Sequence, residues 1–370
     1  MKDIAIVKPR EKAGSATYNK FKFQIAVAIE LLLELARENK DFWLLMDYLE
    51  DVVVIENYNE EASIISFYQV KSKEKNAITI GNVISEKFLD KMHYNISAFR
   101  DHDCNAFLIT NCGISFNGSA VSDTVKVNLK EYLDKIVNTG DTKKDLKENE
   151  FRQKRKKEII KSISKSEKIK EEDVDLCKFF LLTTTLTLND YDRQISGSFV
   201  DFMSETQPKL TGESIHTIKD KIWNDLDKKN KFVIGDNAID ESYILKNKGI
   251  TRKGFDEIVN AQKLLQFPTY QDLSNFCIEY GSQFGDSPLK DKERYSSFQT
   301  ECIIEERKTL TLVYEIFKDL EKEYIDTTKD ELLSSIDLII EQDSRVANLE
   351  LYGKYKDLFQ ILYLYKRLED

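Results

Sequence analysis

The sequence predicts an α/β domain, a mixed sheet flanked by helices, followed by an all-α domain. Three observations carry this. Over residues 1–205, short β-branched and aromatic runs alternate with longer stretches whose apolar residues recur at helical spacing. Beyond about residue 206 the strand signals nearly vanish while helical spacing continues. Only 4 prolines occur in 370 residues, and Lys, Glu, Leu and Ile are abundant, which favours helices. A chain of this length is expected to form two domains, each with its own core, here 1–205 and 206–370.

Residues 1–17 are polar, contain Gly14, and read as a lead-in arm. The stretch YNKFKFQIAVAIELLLELARE, 18–38, is apolar around most of a helical wheel, as a buried helix is. Residues 43–56 and 63–72 are strand-like and joined by the turn-rich NYNEEA. VISEKFLDKMHYNISAF (83–99) reads as a helix, NAFLITN (105–111) as a third strand, and AVSDTVKVNLKEYLDKIV as a further helical region. From 143 to 170, twelve Lys/Arg face five Asp/Glu, a local balance of +7. This run reads as a solvated helix or a flexible excursion or, through Lys154, Arg155, Lys156 and Lys157, as a phosphate-contacting surface. LCKFFLLTTTLTL (176–188) reads as a strand and NDYDRQISGSFVDFMSE as the start of a helix. In the tail, SIHTIKDKIWNDL, KGFDEIVNAQKLL, LTLVYEIFKDLEKEY, KDELLSSIDLIIEQ and LYGKYKDLFQILYLYKRL are helical. The last carries the stripe Leu351, Tyr355, Leu358, Phe359, Leu362 and Tyr365.

Several function classes are disfavoured by composition. A net charge of −10 argues against a general polyanion binder, so nucleic-acid affinity requires a local basic surface. The 5 cysteines form no CxxC pair and the 3 histidines complete no zinc pattern. The apolar run IAVAIELLLELA is broken by Glu30 and Glu34, so no membrane segment is expected; with no apolar signal core at the N-terminus, a cytoplasmic location is expected. There is no P-loop for ATP hydrolysis and no Gly-x-Ser-x-Gly nucleophile.

One constellation bears chemistry. If the turn between the first two strand-like runs is centred near residue 60, Asp51 lies opposite Gln69, and Lys71 is diagonal to it on the same face. An acid on one strand and Glu/Gln-x-Lys on the next is the layout of metal-dependent nucleases with the restriction-endonuclease core. Phosphodiester hydrolysis needs a hard cation, Mg²⁺ or Mn²⁺, on oxygen ligands. Asp51 would be the anionic ligand, Gln69 a carbonyl ligand, and Lys71 would orient the attacking water. Gln in place of Glu removes a negative charge and leaves one-metal and two-metal chemistry open. The same spacing also arises in a cross-strand ion pair at a sheet edge.

GSATYNKFKFQIAVAIELLLEL followed by LEDVVVIE and FYQVKSK resembles the nuclease domain of the double-stranded-DNA endonuclease effectors of bacterial anti-phage defence. These are found in CBASS operons, in Lamassu systems and beside HerA-type ATPases. The resemblance rests on Gly14, Phe23 with Gln24, Asp51, Gln69 with Lys71, and Thr110 with Asn111, in that order, and on FFLLTTTLTLNDYDRQISGSF. It covers roughly residues 14–205. It implies a restriction-endonuclease-like fold, catalytic Asp51, Gln69 and Lys71, and a supporting Gln24. Asp47, four residues before Asp51 and so on the same strand face, is the candidate second acid; Lys73 shares the face of Lys71 and is a phosphate contact. CBASS members append a large αβ nucleotide-sensing domain, whereas this tail is helical and suits oligomerisation or partner docking. The resemblance thus implies double-stranded DNA as substrate, a homo-oligomer, and a separate partner, an SMC-like coiled-coil ATPase subunit or a HerA-type ATPase. A non-catalytic helical scaffold, or a restriction or repair nuclease on the same core, are the alternatives.

Overall fold

The computed structural model describes residues 18–58, 63–73, 77–116, 119–121, 126–140, 142–235, 240–279, 292–305, 308–323 and 349–369. The chain divides into two compact units, Met1–Asp256 and Glu257–Asp370.

The first unit is built on a seven-stranded mixed sheet. Helix α1 (Tyr18–Arg37) precedes strands β1 (Phe42–Tyr48), β2 (Glu50–Glu56) and β3 (Ile64–Lys71). After β4 (Ile78–Thr79) come α2 (Ile80–Ser85), α3 (Phe88–Ala98), β5 (Asp103–Thr110), β6 (Ile114–Phe116), β7 (Ser119–Val121) and β8 (Val127–Asn128). Then follow α4 (Leu129–Asp134), α5 (Thr142–Glu167), β9 (Phe179–Thr183), α6 (Tyr191–Thr206), α7 (Gly212–Lys231), α8 (Glu241–Lys248) and β10 (Gly249–Thr251). The sheet order is β10-β1-β2-β3-β5-β9-β8, and β4, β6 and β7 form a small second sheet. β3, β5 and β9 are mutually parallel, while β10, β1 and β2 run antiparallel up to β3. Helices pack on this sheet because its strands are apolar on both sides: Phe42, Leu44, Leu45, Val53, Ile55 and Leu108 are fully buried.

Three sequence expectations are corrected here. The run 43–56 is not one strand but the hairpin β1–β2, paired from Phe42↔Glu56 to Tyr48↔Glu50 around Leu49. Leu49 and Asp47 take the left-handed backbone (φ 68° and 47°), a conformation that turn sequences normally assign to Gly or Asn. No glycine marks the turn, so the run reads as continuous. The domain change expected at 206 lies instead after Asp256. The reason is that α7 and α8 pack on β1, and β10 pairs with β1 through Trp43↔Thr251 and Leu45↔Gly249. Three residues are too short a strand to leave a pattern. The predicted helix over 83–99 is also broken, by Lys87 at φ 55°, into α2 and α3.

The second unit is helical. It takes in most of α9 (Arg252–Leu264), then α10 (Tyr270–Glu279), α11 (Lys292–Ile304), α12 (Lys308–Glu323) and α13 (Glu350–Glu369). Its core gathers Leu273, Phe298, Val313, Phe317, Leu358 and Phe359, all fully buried. The predicted stripe of α13 is buried throughout, although the helix kinks at Tyr355 (φ −130°). Arg294 clamps Asp357 with two hydrogen bonds of 2.8 Å. Gly14 and the predicted helix KDELLSSIDLIIEQ lie outside the described residues.

Candidate active site

The β2–β3 register runs from Glu56↔Ile64 to Val52↔Tyr68, so partners sum to 120 as the sequence predicts. One step further, the ladder gives way to a side chain. Asp51 Oδ2 accepts the backbone N–H of Val70 at 2.7 Å and also a hydrogen bond from Gln69 Nε2. Gln24, on α1, donates a third hydrogen bond to this carboxylate. Burial pushes the Asp51 carboxyl above its ordinary value, opposed by the positive charge of Lys71 and then by the Val70, Gln69 and Gln24 hydrogen bonds. Asp51, Gln69, Lys71 and Gln24, singled out from sequence, thus come together.

Lys71 ends β3 at the carboxyl edge of the parallel strands, the usual place for a site in such sheets. Its register neighbour is Thr110, which in turn neighbours Thr183. Its ammonium sits over the Phe88 ring, 4.5 Å from the centroid. Thr110 is fully buried and its hydroxyl has no hydrogen-bond partner among the described residues. Asn111 holds the segment after β3: it accepts from Lys73 N at 2.9 Å and donates to Lys73 O at 3.0 Å. Lys73 itself is exposed.

Asp47 is not on the strand of Asp51, as expected, but faces it across the hairpin, since β1–β2 partners sum to 98. Its Oδ2 lies 3.4 Å from Lys248 Nζ. Burial raises the Asp47 carboxyl and lowers the Lys248 ammonium, while their mutual attraction acts the other way on both; the Asp51 charge raises Asp47 further. Neighbouring Glu50 is buried and accepts from Asn95 Nδ2 at 2.9 Å.

The basic helix α5 packs on α3, where Ser162 Oγ donates to both Asp90 carboxylate oxygens at 3.1 and 3.0 Å. Arg155 pairs with Glu158 at 2.6 Å and Lys156 with Asp134 at 2.5 Å, whereas Lys154 and Lys157 are exposed. The latter two, with Gln153 and Lys161, line an open cleft that includes none of Asp51, Gln69 and Lys71. Among the described residues no three His, Cys, Asp or Glu side chains gather as a metal cluster, and no helix is long and apolar enough to cross a membrane.

A family model described as Cap4, dsDNA endonuclease domain, matches residues 12–230, more than half of the chain. The chain belongs to this family. Lamassu protein LmuA of Bacillus cereus (strain VD014) is 32% identical over 118 residues, which is 30% of this chain and 32% of LmuA. The Acinetobacter baumannii Cap4 SAVED/CARF-domain containing receptor with the cyclic trinucleotide 2'3'3'-cAAA aligns with TM-score 0.38 and 12% identity, over 67% of this chain and 46% of the receptor. The corresponding Moraxella osloensis Cap4 receptor gives TM-score 0.38, 15% identity and coverages of 67% and 48%. The chain therefore spans about a third of LmuA and about half of these receptors.

Two residues against the Cap4-domain site escaped sequence reasoning. Phe88 carried no signal beyond an apolar position at the start of a helix. Lys248 is 201 residues from Asp47 and lies beyond the Cap4 match, which ends at 230.

Proposed function

We propose that the chain is a metal-dependent double-stranded DNA endonuclease, the effector subunit of a bacterial anti-phage defence complex. One observation carries the reading: in a chain of the Cap4 dsDNA endonuclease family, Asp51, Gln69 and Lys71 converge at the carboxyl edge of the sheet. The donor set fits a hard divalent cation. Asp51 supplies a carboxylate and Gln69 an amide carbonyl, whose nitrogen is committed to Asp51, and the uncommitted Thr110 hydroxyl lies beside Lys71 in register. With two protein ligands, Mg²⁺ would keep several waters, as it prefers. When bound, the ion supplies Lewis-acid polarisation of the phosphate and a more acidic water.

The protein's own groups do the rest. Lys71, seated on Phe88, offers its ammonium to the water and to charge growing on the phosphate. Gln24 and the Val70 N–H fix the Asp51 carboxylate, so that it meets its ligand without reorganising. Lys73 on its Asn111-held segment, with Lys154 and Lys157 on α5, offers phosphate contacts.

Similarity to LmuA favours a Lamassu setting, with an SMC-like coiled-coil ATPase as partner and a HerA-type ATPase as the alternative. The helical unit serves oligomerisation or docking, and assembly with or release from the partner sets activity. Plasmid cleavage with Mg²⁺ or EDTA, over a protein-concentration series and with the partner subunit added, tests this. Mg²⁺-dependent cutting lost in Lys71→Ala is expected. No cutting with the partner present would instead leave a scaffold.

A further inference from the structure

Lys248 closes α8 immediately before β10, and only 2% of it is exposed. A lysine enters an interior when an anion is there to meet it, and here the anion is Asp47, 3.4 Å away. The delivery is built from fixed parts. At Gly249, the next residue, an added Cβ would lie 2.7 Å from Leu45 Cδ2, so the missing side chain lets β10 close on β1. Just beyond, Arg252 Nη1 donates to the Ala36 carbonyl at the end of α1 (3.1 Å), and its Nε binds Asp256. On the receiving side, the left-handed backbone at Asp47 and Leu49 sets where the acid points. Among the described residues, the charged groups acting on Asp47 are Lys248 and Asp51.

Two carboxylates facing each other across a hairpin, beside a catalytic lysine, are the raw material of a two-cation phosphodiesterase site. An ammonium fixed on the outer carboxylate changes that count. Resting on the nuclease reading above, we propose that Lys248 takes the place of a second divalent cation. It answers the charge of Asp47, so the site holds a single Mg²⁺-class ion on Asp51 and Gln69, and Asp47 is a positioning residue rather than a ligand. A residue outside the family match thereby sets the metal stoichiometry of the site.

Mn²⁺ titration of the whole chain, read from the paramagnetic resonance of free Mn²⁺, counts the ions. Site ions are those lost on Asp51→Asn or Asp47→Asn, which separates them from weak binding to the acidic surface. The wild-type chain is expected to bind one ion, lost in Asp51→Asn and kept in Asp47→Asn. Lys248→Met, which frees the Asp47 carboxylate, is expected to bind two. Because that variant leaves a buried acid unpaired, Asp47→Asn/Lys248→Met is measured beside it and is expected to fold and bind one ion. If Lys248→Met folds only with Mn²⁺ while the double variant needs none, the second ion is read from that rescue; failure of Mn²⁺ to restore it overturns the proposal. Two ions in the wild type, one ion in folded Lys248→Met, or two in the double variant also overturn it, and leave the nuclease reading standing. No ion in the wild type, with Asp51→Asn indistinguishable, removes the metal site itself and this inference with it.

Discussion

The Lys71 ammonium rests on the Phe88 ring and, among the described residues, sits in no carboxylate fork, which leaves its N–H donors to turn toward water and phosphate. A cation over an aromatic ring gains about 0.5–2 kcal/mol. Phe88→Leu should therefore slow cleavage by about 2- to 30-fold, whereas Phe88→Tyr keeps most of the rate; Lys71→Ala should cost about 100-fold or more. Equal losses in Phe88→Leu and Phe88→Tyr, by initial rates on plasmid, would show that the ring acts through packing alone. The Asp51–Gln69–Lys71 group was legible in the sequence because a period of two and a single turn position determine which side chains meet. Phe88 and Lys248 were not legible, since both reach the site through tertiary packing. Asp47 was found for the wrong reason: its proximity to Asp51 comes from a turn at Leu49, not from a shared strand.

Helix α1 shows how one element serves core and site together. Phe23, Ile25, Ala26 and Ile29 are fully buried, Gln24 reaches Asp51, and Glu30 accepts from Thr184 Oγ1 at 2.7 Å. Burial raises the Glu30 carboxyl above its ordinary 4.5, opposed by the Thr184 bond and reinforced by Glu34. An acid raised in this way binds more protons folded than unfolded, so stability falls as pH climbs from 4.5 through the folded value and stays lower above it. Glu30→Gln, which keeps an oxygen for Thr184, should be more stable than wild type at pH 7, with the difference gone below pH 4.5. Denaturant melts at both pH values check this. At β10, Gly249→Ala meets Leu45 Cδ2 and, at 3.2 Å, the Leu245 Cα; a loss of about 1–3 kcal/mol is expected in the same assay. On α5 the exposed and the paired cations should differ. Lys154→Ala and Lys157→Ala are each expected to flatten the salt dependence of DNA binding by about 0.9 in log–log slope. Lys156→Ala, whose charge is already answered by Asp134, should do less.

Across the whole chain, the helices with long apolar periods were legible: α1, α6, α7, α9 and α12 fall close to where the pattern puts them. The turn at Leu49 and the break at Lys87 were not, because neither position carries Gly, Pro or Asn, and β10, although it opens on Gly249, is too short at three residues to leave a pattern. Two compact units, each with its own core, should melt separately. In calorimetry, Glu30→Gln should move only the transition of residues 1–256 and Phe298→Ala only that of 257–370; a single transition moved by both would show one cooperative block. The order β10-β1-β2 has a practical consequence for anyone who trims the chain to its recognisable part. A fragment ending at residue 230, where the family match stops, loses the strand that shields Trp43–Leu45. An open margin reading WLL would then offer unpaired amides to any neighbouring copy, and such a fragment would stick to itself before its chemistry could be assayed.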